Sequence, residues 1–277
     1  MNDGLNGVIA RAQQAIPNEG IYLKDGLRYC QVCHTPRQHI VTLFGAQRIV
    51  PVMCQCLEER EARRKAEDIR EAKNAEQIRL RRLCFSEPAL FNCRFEQAQP
   101  SALIERAQRY AQRFDQLCRE NIGVLFTGEV GSGKTFAAAC VANALIDRCL
   151  SVRMISLPML MAQLHSRWDK TALLNELAAC SLLILDDLSS ERSSDYAVEQ
   201  LFLIIDTRYR AGKPLIITTN LTSEDLKNPP DLRYERIYDR ILALCVTVLA
   251  PGHSRREAVR LHKRQRALAL LGEEEKS

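Results

Sequence analysis

The sequence contains no long apolar segment. No uninterrupted apolar run approaches the ~18 residues that a membrane-spanning helix needs. Residues 1–20 also lack the basic start and the apolar block of a secretory signal. Aromatic residues make up only 6% of the chain, so base stacking is not expected to dominate any contact with nucleic acid. We therefore expect a cytoplasmic protein without a membrane partner.

The composition is that of a soluble globular protein, with 46% hydrophobic and 26% charged residues. A length of 277 residues suffices for one domain of ordinary size and a smaller one. The 11 cysteines, in a chain without an export signal, favour free thiols in a reducing compartment over a disulfide framework. The net charge of +5 permits binding to nucleic acid without requiring it.

One segment carries the strongest functional signal, a glycine-rich loop between an apolar run at 124–126 and a helix of small residues. The loop consists of Gly128, Glu129, Val130, Gly131, Ser132, Gly133, Lys134 and Thr135. This spacing matches G-x-x-x-x-G-K-T, in which backbone N–H groups and a helix N-terminus converge on phosphate oxygens. Lys134 would reach the β- and γ-phosphates, and Thr135 would bind Mg²⁺. The sequence predicts that the protein binds ATP or another nucleoside triphosphate; the alternative is a glycine-rich turn that binds nothing.

A second motif supplies carboxylates. The apolar run 181–187 ends in Asp186 and Asp187, and a later run ends in Asn220. Ends of neighbouring parallel strands meet at one edge of a sheet, where the phosphate loop also lies. Asp186 would hold Mg²⁺ through water, Asp187 would orient the attacking water, and Asn220 would align that water. The alternatives are a solvated acidic pair and an ordinary polar strand exit.

The order of these segments predicts an α/β fold, a parallel sheet flanked by helices. We expect strands at 151–157, 181–187, 214–220 and 245–250, besides the strand before the loop. Helices are predicted at 102–118, 135–148, 159–167, 171–179, 193–210, 232–244 and 255–271.

Two close cysteine pairs lie nearer the N-terminus, on either side of a predicted hairpin with strands at 40–44 and 48–53. The four residues are Cys30, Cys33, Cys54 and Cys56. Four thiolates brought together by a hairpin are typical of a structural Zn²⁺ site, as in a zinc ribbon. The alternatives are a redox pair, a site that uses His34 or His39, and no metal at all.

Two further segments complete the predicted division of the chain into three parts. Residues 1–29 show no strong periodicity and are read as an irregular lead-in with a short helix at 7–16. Residues 57–83 contain no Gly or Pro and carry charges of both signs at helical spacing, which predicts one long solvated helix that either links domains or binds a partner. We predict a zinc-binding module at 1–56, a linker helix at 57–83 and an ATPase domain at 84–277.

A late helix carries arginines, among them Arg236 and Arg240. Such a helix can present an arginine to the nucleotide of a neighbouring subunit and so stabilise the charge of the transition state. The alternative is an intrachain salt bridge to Asp239 or Glu235.

With these motifs assembled, the chain resembles the DnaC/DnaI-type replicative helicase loaders, AAA+ ATPases of the IstB-like clade. The resemblance rests on GEVGSGKT, LLILDD, TTN, ERIYDRI and GHSRR, in the family's order and behind a zinc module. It implies an AAA+ domain without a separate lid. By the same resemblance the catalytic and sensor residues are Lys134, Asp187, Asn220 (first sensor), Arg240 (arginine finger) and Arg256, in preference to Arg255, as the sensor arginine.

The resemblance also implies a function. The protein would bind a hexameric replicative helicase, self-associate through its ATP-bound domains, hold single-stranded DNA and release after hydrolysis. Asp187 replaces the usual glutamate and is one methylene shorter, so we expect a slow ATPase stimulated by single-stranded DNA. Basic residues suited to a DNA backbone are Arg255, Arg256, Arg260, Lys263, Arg264 and Arg266. The alternatives are an IstB-like transposition helper and a nucleotide-switched DNA-binding adaptor with little hydrolysis.

Overall fold

The computed structural model describes residues 20–43, 45–166, 170–188, 195–250, 263–268 and 270. The chain divides into two compact units, residues 1–74 and 75–277. The predicted helix at 7–16 lies outside the described residues, and the predicted domain boundaries at 56/57 and 83/84 stay predictions. Among the helices of the described residues, none combines the length and the apolar character needed to cross a membrane.

The first unit contains two antiparallel hairpins. Their strands are β1 (Ile21–Lys24), β2 (Leu27–Cys30), β3 (Gln38–Leu43) and β4 (Ala46–Pro51). The β3–β4 hairpin confirms the predicted one. For residues 21–30 the prediction of an irregular segment was wrong, because β1 and β2 pair across Asp25 and Gly26, whose φ angles of 53° and 77° suit a tight hairpin turn.

Helix α1 (Gln55–Cys84) follows and confirms the predicted long helix. Its first part belongs to the first unit and its last turns to the second. Exposed pairs such as Arg64 with Glu61 (3.0 Å) contribute little. The exposed part of the helix therefore depends mainly on residues of high intrinsic helix propensity.

The second unit is built on a five-stranded parallel sheet in the order β6-β7-β8-β5-β9. Its strands are β5 (Gly123–Thr127), β6 (Val152–Ser156), β7 (Leu182–Leu188), β8 (Leu215–Thr219) and β9 (Cys245–Leu249). Its helices are α2 (Ala102–Gln112), α3 (Phe114–Arg119), α4 (Lys134–Ile146), α5 (Leu157–Ser166), α6 (Lys170–Ala179), α7 (Asp195–Arg210), α8 (Ser223–Lys227) and α9 (Leu232–Leu244). Residues 263–268 are also helical.

Both faces of this sheet are buried. Successive residues of β5 enter different cores, since Val124 and Phe126 pack with α2 and α4 while Leu125 packs with α7 and α9. This explains why its strands appear in the sequence as continuous apolar runs. The predicted helix at 102–118 is in fact two helices, separated at Arg113, and the short helix α8, which begins with a capping box at Thr222, was not predicted.

The last turns of α1 are fastened to the C-terminal end of α4. Gln77 donates a hydrogen bond from Nε2 to the carbonyl oxygen of Asp147 (2.7 Å), and Arg81 forms an ion pair with the Asp147 carboxylate. Arg81 Nε also donates to Asn143 Oδ1 (3.3 Å), and Asn143 is fully buried. These contacts anchor the end of α1 within the second unit.

A buried arginine ties the sheet to its helices on the opposite face. Arg208 is 1% exposed, and its guanidinium donates to carbonyl oxygens that include those of Leu177 (3.2 Å), Cys180 (2.8 Å) and Pro214 (2.5 Å). These carbonyls lie near the end of α6 and shortly before β7 and β8, and Arg208 is their shared donor.

We expect Arg208→Met to lower the free energy of unfolding by about 3 kcal/mol, because buried carbonyls lose their hydrogen-bond donors. Urea denaturation measures this change. Arg210→Met is the matched control, since the Arg210 side chain is 76% exposed, and its effect should stay below about 1 kcal/mol. Equal losses in both variants would contradict the anchoring role of Arg208.

Candidate ATP site and cysteine cluster

The glycine-rich loop connects β5 to α4, and its glycines adopt backbone angles that other residues rarely adopt. The φ angles of Gly128, Gly131 and Gly133 are 147°, 84° and 95°. A Cβ atom at Gly128 would also lie 2.5 Å from the carbonyl oxygen of Ala250, at the end of β9. The loop therefore requires glycine at 128 for both conformation and space.

Lys134, the first residue of α4, is 7% exposed and reaches back across this loop. Its Nζ donates to the carbonyl oxygens of Gly128 (2.7 Å) and Glu129 (2.8 Å) and to Oδ1 of Asn220 (2.8 Å). Two predicted site residues that are 86 positions apart in the chain thus meet at the loop. The buried ammonium group provides the positive charge that a polyphosphate needs.

Ser132 provides a test of whether the loop fits a phosphate. Its hydroxyl is buried and has no hydrogen-bond partner among the described residues. A buried polar atom without a partner is unusual in a folded protein, and phosphate oxygens would satisfy it. Together with the N-terminus of α4, this hydroxyl fits an anion at the loop.

Thr135 and Asp186 meet beside the loop, as the sequence predicts for two Mg²⁺ ligands. Thr135 Oγ1 donates to Asp186 Oδ2 (3.2 Å), and Thr218 Oγ1 donates to Asp186 Oδ1 (2.6 Å). Burial raises the pKa of Asp186, although hydrogen bonds from Thr218 and Thr135 oppose this shift. A hydroxyl and a carboxylate are the oxygen ligands that Mg²⁺ prefers, and the cation would offset the burial of the charge.

Asp187 lies at an irregular point of the sheet. The pairing between β7 and β8 shifts register between Leu185 and Leu188, and Asp187 has a φ of 59° with an exposed side chain. Its backbone N–H donates to Thr218 Oγ1 (2.9 Å). The role of Asp187 in orienting water stays a prediction.

Arg240 forms an intrachain ion pair, but with a residue that the sequence did not suggest. Its Nε donates to Asp206 Oδ1 (2.9 Å) on α7, and its guanidinium lies 4.7 Å from the centre of the Phe202 ring. Asp206 Oδ2 also accepts from Arg210 Nε (2.7 Å). The sequence did not suggest Asp206 as the partner of Arg240 because the two residues are 34 positions apart. The available signal was a single carboxylate at the end of the apolar stretch FLIID.

The other basic residues are only partly described. Arg256, Arg255 and Arg260 lie outside the described residues. Lys263, Arg264 and Arg266 are exposed on the helical segment 263–268. Their roles toward nucleotide and DNA stay predictions.

In the first unit, the four predicted cysteines converge. Their Sγ atoms all lie within 4.8 Å of one another, with Cys30 and Cys54 at 3.5 and 3.4 Å from Cys56. Four thiolates at tetrahedral Zn–S bonds of about 2.3 Å would be about 3.8 Å apart, so the cluster fits zinc. None of the four cysteines forms a disulfide. Among the described residues, the cluster consists of these cysteines and includes neither His34 nor His39.

Two residues around the cluster were not singled out from the sequence. Arg37 is 7% exposed and hydrogen-bonds to Cys54 and Cys30; burial opposes its charge, but the thiolates outweigh burial and raise the pKa of Arg37. The Thr35 hydroxyl lies 3.0 Å from Cys33 Sγ and is the main cause that lowers the pKa of Cys33 to about 5. A cation and a hydroxyl that stabilise thiolates suit a metal–thiolate centre.

The sequence is similar to those of known proteins. The chain is similar to the Phage-like element PBSX protein XkdC of Bacillus subtilis (strain 168), with 29% identity over 231 residues that cover 78% of this chain and 80% of that protein. It is also similar to the Replicative helicase loader DnaC of Escherichia coli (strain K12), with 30% identity over 162 residues. That match spans 54% of this chain and 63% of DnaC.

Solved structures confirm the predicted α/β fold. A DnaI crystal structure has a TM-score of 0.55 at 23% identity and covers 64% of this chain and 99% of its own. A crystal structure of the DnaC helicase loader has a TM-score of 0.51 at 23% identity and covers 59% of this chain and 99% of its own. The family described as IstB-like ATP binding protein matches residues 47–267. By the extent of this match, the chain belongs to the family of IstB-like ATP binding proteins.

Proposed function

We propose that the protein is an ATPase that loads a hexameric replicative helicase in DNA replication. The observation that carries this proposal is the convergence of Lys134 and Asn220 with Thr135 and Asp186, at the phosphate loop of an IstB-like protein. The name of the relative DnaC supports the role of loader, and the cysteine cluster supports an N-terminal zinc module like that of the loaders it resembles.

The residues of the site would divide the work of hydrolysis. Lys134 exchanges the loop carbonyls for phosphate oxygens when ATP binds, and Gly128 through Thr135 supply the surrounding backbone donors. Thr135 and Asp186 would hold Mg²⁺, which would neutralise charge on the phosphates. Asn220 and Asp187 orient the attacking water. The short side chain of Asp187 makes turnover slow.

Completion of the site would require a second subunit. Arg240 is held by Asp206 on the same chain, and Arg210 binds the other oxygen of that carboxylate, so Asp206 would keep a partner when Arg240 leaves. On self-association, Arg240 reaches the neighbour's nucleotide as an arginine finger, and Arg256 acts as the sensor arginine of its own site. The basic C-terminal residues bind along the backbone of single-stranded DNA, and the DNA promotes this assembly in the cytoplasm. Hydrolysis then releases the loader.

A second candidate function is a nucleotide-switched DNA-binding adaptor with little hydrolysis. Two observations favour it: Asp187 is exposed and shorter than the usual glutamate, and Arg240 is engaged within its own chain. An IstB-like transposition helper would share the ATPase domain, but the cysteine cluster favours the loader.

Hydrolysis measured against protein concentration, with and without single-stranded DNA, tests the proposal. We expect the rate per chain to rise with concentration and with DNA. Arg240→Ala should reduce the rate below detection, because an arginine finger contributes about 10³–10⁵-fold. Arg236→Ala, an exposed arginine one turn earlier on α9, is the matched control and should retain activity.

A mixing experiment then shows whether Arg240 acts between subunits. Arg240→Ala retains an intact nucleotide site, whereas Lys134→Ala retains the arginine, so a mixture of the two variants should recover part of the activity that each lacks. Hydrolysis that ignores concentration and survives loss of Arg240 would overturn the shared-site mechanism in favour of the adaptor. Deposition of a hexameric replicative helicase on single-stranded DNA, dependent on this protein and on ATP, tests the loader role separately.

A further inference from the structure

We infer that Thr218 is a positioning residue that holds both aspartates of the acidic motif, an inference that rests on the proposed ATPase function. Thr218 is 1% exposed at the end of β8. Its hydroxyl donates to Asp186 Oδ1 (2.6 Å) and accepts from the backbone N–H of Asp187 (2.9 Å). A hydroxyl is one donor and two acceptors, so one group can satisfy both neighbours.

The sheet itself creates the need for this hydroxyl. Between Leu185 and Leu188 the pairing of β7 with β8 is irregular, and Asp187 adopts a left-handed φ of 59°. Such irregularities interrupt the ladder of backbone hydrogen bonds and re-aim side chains, often next to active sites. The Thr218 hydroxyl accepts the Asp187 N–H at this interruption. It thereby stabilises the local turn that sets the direction of Asp187.

The same hydroxyl determines which carboxylate oxygen of Asp186 remains for the metal. Thr218 engages Oδ1, and Oδ2 is left on the side of Thr135, 3.2 Å away. The two proposed Mg²⁺ ligands therefore keep their relative position while the site is empty. Preorganisation of this kind lowers the cost of binding the cation.

The adjacent Thr219 gives a matched control. Thr219 is as buried as Thr218. Its hydroxyl, however, bonds to the backbone and not to the aspartates: it donates to the Leu188 carbonyl and accepts from the Leu221 N–H (3.0 Å). Replacing either threonine by valine removes one buried hydroxyl, and the two positions are adjacent in the same strand. Only the change at 218 should alter the response to Mg²⁺.

The test is the affinity for a fluorescent ATP analogue, titrated with Mg²⁺, in the full-length protein. We expect Thr218→Val to raise the half-saturating Mg²⁺ concentration about tenfold, the effect of losing one hydrogen bond to a charged group. Thr218→Ser should restore the wild-type value within about twofold, since the hydroxyl returns. Thr219→Val should lower thermal stability and leave the Mg²⁺ response unchanged.

A wild-type Mg²⁺ response in Thr218→Val, or the same shift in Thr219→Val, would overturn the inference. If Thr218→Val does not fold, Thr218→Ala decides the matter by the same titration, because it removes the hydroxyl without placing a methyl group against the Asp186 carboxylate and the Asp187 N–H. A wild-type protein that binds no nucleotide would instead overturn the proposed function, so the two failures are distinguishable.

Discussion

Lys134→Ala is expected to eliminate the binding of Mg²⁺–ATP at micromolar concentrations and to reduce hydrolysis by at least about 10²–10³-fold, the scale on which preorganised donors contribute to catalysis. The reason is that Lys134 places a nearly buried ammonium among the loop carbonyls and Asn220, where phosphate oxygens would replace them. Calorimetric titration with ATP and a phosphate-release assay measure the two effects.

A thermal melt separates loss of function from loss of fold. ATP should raise the melting temperature of the wild type, because a ligand that binds only the folded state stabilises it, and should leave that of Lys134→Ala unchanged. Lys227→Ala, at an exposed position on α8, is the control and should respond as the wild type does. A full ATP-induced shift in Lys134→Ala would contradict the assignment of this lysine to the phosphate site.

Cys54→Ser is expected to remove a bound zinc ion, one per chain, and to unfold the hairpins of the first unit. Cys54 is fully buried among the other three sulfur atoms, and a segment this small has too little core to fold without its metal. Metal analysis of the purified protein gives the zinc content. Hydrogen exchange of the amides in residues 20–53 reports the unfolding.

Cys149→Ser is the appropriate control for this experiment. Cys149 is exposed, lies outside the cluster and undergoes the same chemical change. The variant should retain one zinc ion and wild-type protection of residues 20–53. Full zinc content in Cys54→Ser, or its absence from the wild type, would refute the assignment of the cluster as a zinc site.

Much of the fold of the second unit could be predicted from the sequence because its determinants are local. Buried parallel strands appear as apolar runs, and the glycine-rich loop is a contiguous pattern whose strand and helix flank it directly. The β1–β2 hairpin could have been found as well, since Asp25-Gly26 between two β-prone runs is a strong hairpin signal that was overlooked.

Contacts between distant residues could not be predicted in the same way. The pairing of Arg240 with Asp206 depends on how α7 packs against α9, and local charge spacing favoured Asp239 or Glu235 instead. The double contact of Thr218 depends on an irregularity in strand pairing that no periodicity reveals. The sequence predicted only that the strands next to Lys134 and Asn220 end at the same edge of the sheet. It did not predict the hydrogen bond that joins the two side chains.

Helix α4 joins the phosphate loop to the contacts that hold the last turns of α1. It begins at Lys134 on the phosphate loop and ends beside Asp147, which holds Gln77 and Arg81 in the last turns of α1, about 20 Å away at 1.5 Å per residue. Equilibrium couplings are reciprocal: if ATP changes the affinity of a partner for the last turns of α1 by some factor, that partner changes the affinity for ATP by the same factor. The contacts of Asp147 with Gln77 and Arg81 are therefore the place where a partner bound to the end of α1 and a nucleotide bound at the loop share one helix.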